Sequence, residues 1–252
     1  MPERGLGARS RAIQQRSTEV RRAAAFAACL ALIPGAAHAQ AYQCRVPQGP
    51  VSVPVVERGQ FRQRPRTGYT LAVTWSPEYC RGRENSAADA RQCSGRSGRF
   101  GMVVHGLWPE GRGADWPQWC PAPRPTGAEL ARNLCVTPSA ELLANEWARH
   151  GACMTSRPAN YFRTTRILWN SLRWPDFDRL SRKGKLTAGD VRRAIAEANA
   201  DWEPEDFGLV VSERGWLREL RLCYGRDFRP ARCDTRRFGP RDSTPVSIFR
   251  GL

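Results

Sequence analysis

Histidine, methionine and lysine are scarce in this 252-residue chain. It holds three His, three Met and, among 40 basic residues, only Lys183 and Lys185 as lysine. No Cys-x-x-Cys pair occurs, although structural zinc sites usually carry one, so its nine cysteines read poorly as a metal site. No apolar run reaches the eighteen or so residues of a membrane span, and there is no internal repeat and no linker. Charge is lopsided: 40 Lys+Arg against 24 Asp+Glu give +16, which points to a polyanionic partner without bearing on fold. With 41% apolar residues and nine Trp the chain can bury a real core, which excludes a disordered protein; its length suits one full-sized domain or two small ones.

Residues 1–39 are laid out as a secretory signal. A basic stretch ends in Arg21-Arg22, an apolar segment runs from Ala23 to Ile33, and Ala37-His38-Ala39 is a small-residue cleavage site. Cleavage after Ala41 fits equally, and a short buried helix of a cytosolic protein is the competing reading. Removal of 1–39 takes six Arg, two acids, one Cys and one His, leaving 34 basic against 22 acidic residues, a net +12, with eight Cys and two His. An even set in an exported chain, Cys44, Cys80, Cys93, Cys120, Cys135, Cys153, Cys223 and Cys233, reads as four disulfides.

Within residues 40–252, 40–68 read as an irregular lead-in. Tyr69, Leu71, Val73 and Trp75 then alternate with smaller residues, the period of a half-buried strand. Residues 81–99 read as a surface loop, and Phe100, Met102 and Val104 as a strand that ends at His105. Five Pro between 111 and 138 predict a connection without regular structure. Ser139 caps a helix over 140–149, a second helix covers 161–172, and Thr187 with Asp190 opens a third, whose inner face is Val191, Ile195 and Ala198. Leu220, Leu222 and Tyr224 mark a late strand, and Val246 with Ile248 a last short one. The sum is a single α+β domain: an antiparallel sheet packed against several helices.

The only imidazoles past residue 39 are His105 and His150, and imidazole both takes and gives a proton near neutral pH. His105 opens His-Gly-Leu-Trp-Pro-Glu. His150 follows Glu146 by one helical turn, a spacing that sets carboxylate and imidazole on one face, where the carboxylate favours the charged ring. A catalytic zinc needs three protein ligands and would consume both imidazoles and Glu146. Alone, a His at a strand end and a Glu–His helix pair are equally ordinary structural features.

The text around them is more specific. His105-Gly106-Leu107-Trp108-Pro109 and Asn145-Glu146-Trp147-Ala148-Arg149-His150-Gly151-Ala152-Cys153 resemble the two signature blocks of the ribonuclease T(2) family, the secreted, largely base-nonspecific endoribonucleases. Trp75-Ser76-Pro77-Glu78-Tyr79-Cys80, Tyr161-Phe162 and Leu220-Arg221-Leu222-Cys223-Tyr224 with Cys233 extend the resemblance over roughly 69–235. It implies that His150 is the general base and His105 the general acid in transesterification of RNA, with the roles exchanged when the 2′,3′-cyclic phosphate is hydrolysed. Glu146 would tune the imidazole, and Arg149 would face the phosphorane.

By the same resemblance Trp108, Glu110 and Trp116 hold a base, although a core position for Trp108 is an equal alternative; Trp119 and Trp147 read as structural. Disulfides Cys80–Cys93, Cys120–Cys153 and Cys223–Cys233 are implied, with Cys44–Cys135 as the remaining pair. Asn145 and Arg149 stand where the family carries His and Lys; an amide still donates a hydrogen bond to phosphate but brings no charge, and Arg keeps the charge with a different reach. RNA is then the substrate and DNA, lacking the 2′-OH, is inert. No cofactor and no metal are implied. The protein would be a monomer with no membrane association after signal removal, periplasmic in a Gram-negative bacterium and otherwise extracellular. Two other classes compete: a non-catalytic RNA-binding or interaction protein on the same scaffold, motivated by Asn145 and the net charge, and a metal-dependent phosphodiesterase.

Overall fold

A computed structural model describes residues 44–251. The expected signal segment, 1–39, lies outside the described residues. Four strands, β1 (Gly68–Trp75), β2 (Met102–Glu110), β3 (Phe207–Val211) and β4 (Leu217–Tyr224), form one antiparallel sheet in the order β2-β1-β4-β3. The helices are α1 (Ser76–Cys80), α2 (Ala90–Cys93), α3 (Gly127–Ala131), α4 (Ala140–Arg149), α5 (Pro158–Ser171), α6 (Phe177–Ser181), α7 (Ala188–Glu197) and α8 (Thr235–Phe238), with 3₁₀ turns at Gly151–Cys153 and Pro204–Asp206. This is the α+β domain that the alternating and helical periods predict.

Leu71, Val73, Leu107, Leu220 and Leu222 of the sheet pack with Trp147, Tyr161, Phe162, Val191 and Ile195 of the helices into one apolar core. Central β1 is not half-buried as its alternation implies. Its second face, Thr70 and Ala72, is also fully buried, because the Thr70 hydroxyl donates to the Glu110 carboxylate (2.6 Å) and Arg237 folds over both.

Helix α4 forms where a cap and an apolar stripe coincide. Ser139 Oγ accepts from the Leu142 N–H (3.1 Å), and Leu143, Ala144, Trp147 and Ala148 face inward. Thr187 and Asp190 close a reciprocal capping box on α7, whose Val191 and Ile195 are fully buried; the third predicted inner residue, Ala198, is its C-cap and only half-buried. Pro158 opens α5, where a missing N–H costs nothing.

Three expectations need correction. The 111–138 connection contains α3, which a Thr126–Glu129 capping box starts despite the neighbouring prolines. The 81–99 loop contains α2. Val246 and Ile248 are buried but form no strand: the backbone beside them pairs only through isolated bridges, Trp216 with Ser247 and Thr187 with Pro245. Strand β3 is short and carries no apolar–polar alternation to mark it in the sequence.

All four disulfides join the implied partners: Cys44–Cys135, Cys80–Cys93, Cys120–Cys153 and Cys223–Cys233. Cys120–Cys153 spans 33 residues and ties the long connection to the turn after α4. In the chain-entropy account such a loop contributes about 4 kcal/mol, at the place where the second signature block must be held in position.

Candidate active site

His105 does not stand at a strand end. It lies within β2, at a bulge: Gly106 pairs with Ala72 and Val104 with Val73, which leaves His105 as the unpaired extra residue. A bulge re-aims a side chain out of the regular alternation. The imidazole therefore turns onto the outer face of the sheet, where its Nδ1 meets the Glu219 carboxylate at 2.8 Å and its Nε2 lies 3.8 Å from Glu146. Arg221, two residues along β4, donates to the other Glu219 oxygen (3.1 Å) and holds that carboxylate in place.

Glu146 projects from α4 into the same space and accepts the Trp108 indole N–H at 2.6 Å. Gly106 makes this bond possible, since a Cβ there would strike the Glu146 carboxylate and sit 2.6 Å from Trp108 Nε1. Gly151 is required for a similar reason: a Cβ would sit 2.7 Å from the Tyr161 ring and 2.8 Å from Trp147. Tyr161 in turn accepts the Leu107 N–H through its hydroxyl (3.1 Å), which pins β2 to α5. Trp108 stands between the two imidazoles, edge-on to His105 at 5.2 Å and tilted to His150 at 5.6 Å.

The expected Glu146–His150 pair is replaced by a Glu146–His105 pair. His150 is the C-cap of α4, with φ −117°, and departs from the helical row that would align it with Glu146. Its Nδ1 is buried without a hydrogen-bond partner among the described residues, as is the Arg149 Nε.

The two rings are biased in opposite directions. Burial, then the charges of Arg149 and His105, depress His150 to about 3, so it is neutral over most of the pH range. Burial also opposes charge on His105, but the Glu219 hydrogen bond and the Glu146 and Glu219 carboxylates outweigh it and raise that ring above its ordinary value. Burial lifts Glu146 above the usual carboxylate range, only partly offset by His105, Trp108, Arg149 and Asn145. Glu219 is also buried, yet the His105 bond and Arg221 hold it below that range. Glu219 is thus the counter-ion of a charged His105.

Two clefts meet at His105, Trp108 and Arg221. The smaller, about 400 Å³, is lined by both histidines, Glu146, Arg149, Glu110, Trp116, Arg236 and Arg237. The larger, about 1040 Å³, contains His105 and Asn145 but not His150. Among the described residues no group of three or more His, Cys, Asp or Glu is arranged to hold a metal ion.

Residues 67–185 match the Ribonuclease T2 family. Over that stretch the chain is similar to the family. Over 190 residues it is 35% identical to a probable ribonuclease of Haemophilus influenzae, a match that covers 71% of this chain and 65% of the relative, so it spans slightly under two thirds of that protein's length. Its fold is similar to that of trichomaglin, described as an S-like ribonuclease (TM-score 0.58, 21% identity, 73% of this chain and 97% of the other). It is also similar to an RNase-related protein from Calystegia sepium (TM-score 0.57, 22% identity, 74% and 98%).

Not every residue that the ribonuclease T2 blocks imply for substrate is free in the structure. Trp116 is half-buried at the cleft edge with Arg62 over its ring at 5.6 Å. Trp108 keeps a ring face on the cleft while its N–H is spent on Glu146. Glu110 lines the smaller cleft but is already engaged there, accepting from the Thr70 hydroxyl and lying 3.4 Å from Arg237. Arg149 lines the smaller cleft with both imidazoles, 5.9 Å over the Trp119 ring, and among the described residues its guanidinium has no carboxylate partner. Trp147 and Trp119 are buried.

Asn145 lines the larger cleft and not the smaller. Asn145→His should lower KM for RNA by several-fold with kcat little changed, because a cation at this position adds phosphate affinity; an unchanged KM in steady-state assays would remove Asn145 from the substrate site.

Sequence reasoning missed Glu219, Arg221, Arg236 and Arg237. For the first two a signal existed: both interrupt the apolar run of β4 at alternate positions, the same face of one strand.

Proposed function

We propose that this chain is an exported endoribonuclease that cleaves single-stranded RNA with little base specificity, first to a 2′,3′-cyclic phosphate and then, by hydrolysis, to a 3′-phosphate. RNA carries its own nucleophile, so the protein must take the 2′-OH proton, balance charge on phosphorus and protonate the departing 5′-oxygen. The observation that carries the reading is the opposite bias of two imidazoles on one cleft. His150, neutral, accepts the 2′-OH proton, while His105, charged against Glu219, delivers one to the leaving oxygen. In the second step water takes the place of the leaving group and the proton movements reverse.

Arg149 supplies the positive charge for the phosphorane, and Trp108 with Trp116 offers ring faces. Stacking of this kind is worth about 1–3 kcal/mol per base and accepts any of them. Glu146 fixes Trp108 and adds to the negative field at His105. Four disulfides and the expected signal segment support an oxidising destination: the periplasm of a Gram-negative bacterium or the extracellular space. The reading includes a monomer that needs no metal.

Incubation with RNA in EDTA tests this directly. Expected are cyclic-phosphate ends followed by 3′-phosphates, with single-stranded DNA left intact. Activity abolished by EDTA, or DNA cut at a comparable rate, would overturn the mechanism; RNA binding without cleavage would favour a non-catalytic scaffold.

A further inference from the structure

We propose that the larger cleft is a phosphate track for single-stranded RNA beyond the scissile bond, with Arg214, Arg218 and Arg83 holding backbone phosphates on the leaving-group side. The inference rests on the ribonuclease reading above. Direction follows from the arrangement of the two imidazoles. The larger cleft contains His105 and lacks His150, so the strand that departs from the general acid leaves along it. Size points the same way. About 1040 Å³ exceeds what encloses one drug-sized ligand, and a single nucleotide would leave most of it empty.

The chemistry of the walls is that of a polyanion site. Arg218 is the extra residue of a second bulge, since Val210 pairs with Glu219 and Val211 with Leu217. As at His105, the bulge turns out of register a side chain that regular alternation would point away from Glu219. Arg214 sits in the turn just before β4, built by the Ser212 hydroxyl accepting the Trp216 N–H (3.1 Å) and by Gly215 at φ +78°. Both guanidinium groups are exposed, and among the described residues neither takes part in an ion pair. Arg83 lines the same cleft, its guanidinium over the Tyr79 ring at 4.6 Å.

Each of the four carboxylates on the same walls has a partner, Glu141 accepting from the Ser139 hydroxyl at 3.1 Å. Glu78 lies 3.8 Å from Arg81, Asp89 accepts from the Tyr79 and Ser86 hydroxyls, and Glu219 holds His105 and Arg221. Free positive charge therefore extends outward from the catalytic end, which suits a backbone that is read by charge and not by sequence.

Chain length and salt are the readouts. KM would be measured for a dinucleoside monophosphate and for oligoribonucleotides of increasing length, between 50 and 200 mM salt, in the wild type, in Arg214→Ala/Arg218→Ala and in Arg182→Ala/Arg229→Ala. The last pair removes the same charge from positions that line neither cleft. In the wild type KM should fall with length. The cleft pair should raise KM for the long oligonucleotide about tenfold more than for the dinucleoside, and should reduce the slope of log KM against log salt by about 1.4, two contacts at about 0.7 each for a single strand. Lys at both cleft positions should restore most of that slope.

Equal slopes in the two Ala pairs, or no length dependence in the wild type, would overturn the track. Anisotropy of labelled RNA bound to the same proteins separates this failure from that of the parent reading. Length-dependent binding without cleavage would retain the track and remove the ribonuclease, whereas cleavage without length dependence would do the reverse.

Discussion

His150→Ala and His105→Ala should each lower kcat for RNA by roughly 10²–10⁴-fold, the range for removal of a positioned general acid or base. The double variant should lose little more than the worse single one, because the two groups move protons in one concerted step and act as a unit. Their pH dependence is set by the environments described above. His150 must be neutral to accept a proton, and burial keeps it so down to about 3. His105 must be charged to donate one, and Glu219 keeps it so past its ordinary value of about 6.5. The kcat/KM profile of the free enzyme should therefore be a broad plateau extending well into acid, with its alkaline limb above pH 6.5. A narrow bell centred near neutrality, with both limbs within a unit of 6.5, would contradict the two environments.

The depression of His150 also has a cost in stability with a definite sign. Below pH 6.5 the unfolded chain takes up a proton at this residue and the folded protein does not, so stability falls by about 1.4 kcal/mol per pH unit until the folded group titrates near 3. His150→Ala should thus flatten thermal stability against pH between about 6 and 4. An unaltered profile in melts monitored by circular dichroism would show that the ring is not held neutral.

Much of this site is legible in the chain itself, and the limits of that legibility are physical. Signature blocks name His105, Glu146, Arg149 and His150 because the chemistry and the close backbone approaches at Gly106 and Gly151 constrain contiguous residues. Helix α4 is readable because its cap and its stripe are local. The Glu219–His105 bond joins residues 114 apart, and no local period announces it. What is local is the pattern of β4, where Glu219 and Arg221 occupy the positions that a half-solvated strand gives to polar groups; only the bulge in β2 converts that face into an active site. The same bulge explains why His105 read as a strand end: alternation through Phe100, Met102 and Val104 breaks there although the strand continues to Glu110. The Glu146–His150 expectation failed for a comparable reason, since i,i+4 geometry holds within a helix and His150 is the residue that leaves it.

Glu219→Gln is the substitution that separates a positioning role from a structural one. The amide preserves the shape of the carboxylate and can still accept the Nδ1–H of His105, but it removes the counter-ion. A hydrogen bond between charged partners is worth about 1.5–3 kcal/mol, or 1–2 pH units, so the alkaline limb of kcat/KM should move down by about that amount. With burial then the dominant influence on His105, activity at pH 7–8 should drop by roughly tenfold or more, while at pH 5 it should stay close to wild type. A residue that merely supported the fold would lower activity by the same factor at every pH, and that result would remove Glu219 from the mechanism. Stability supplies a second signature. A raised imidazole stabilises the fold fully below its unfolded value of about 6.5 and loses that contribution as pH rises through the folded value, whereas the lowered Glu219 carboxyl contributes only above its own titration in acid. The melting-temperature deficit of Glu219→Gln should therefore be greatest between these two titrations, near pH 5–6, and should shrink in alkali, where the wild type keeps a buried carboxylate beside a neutral ring.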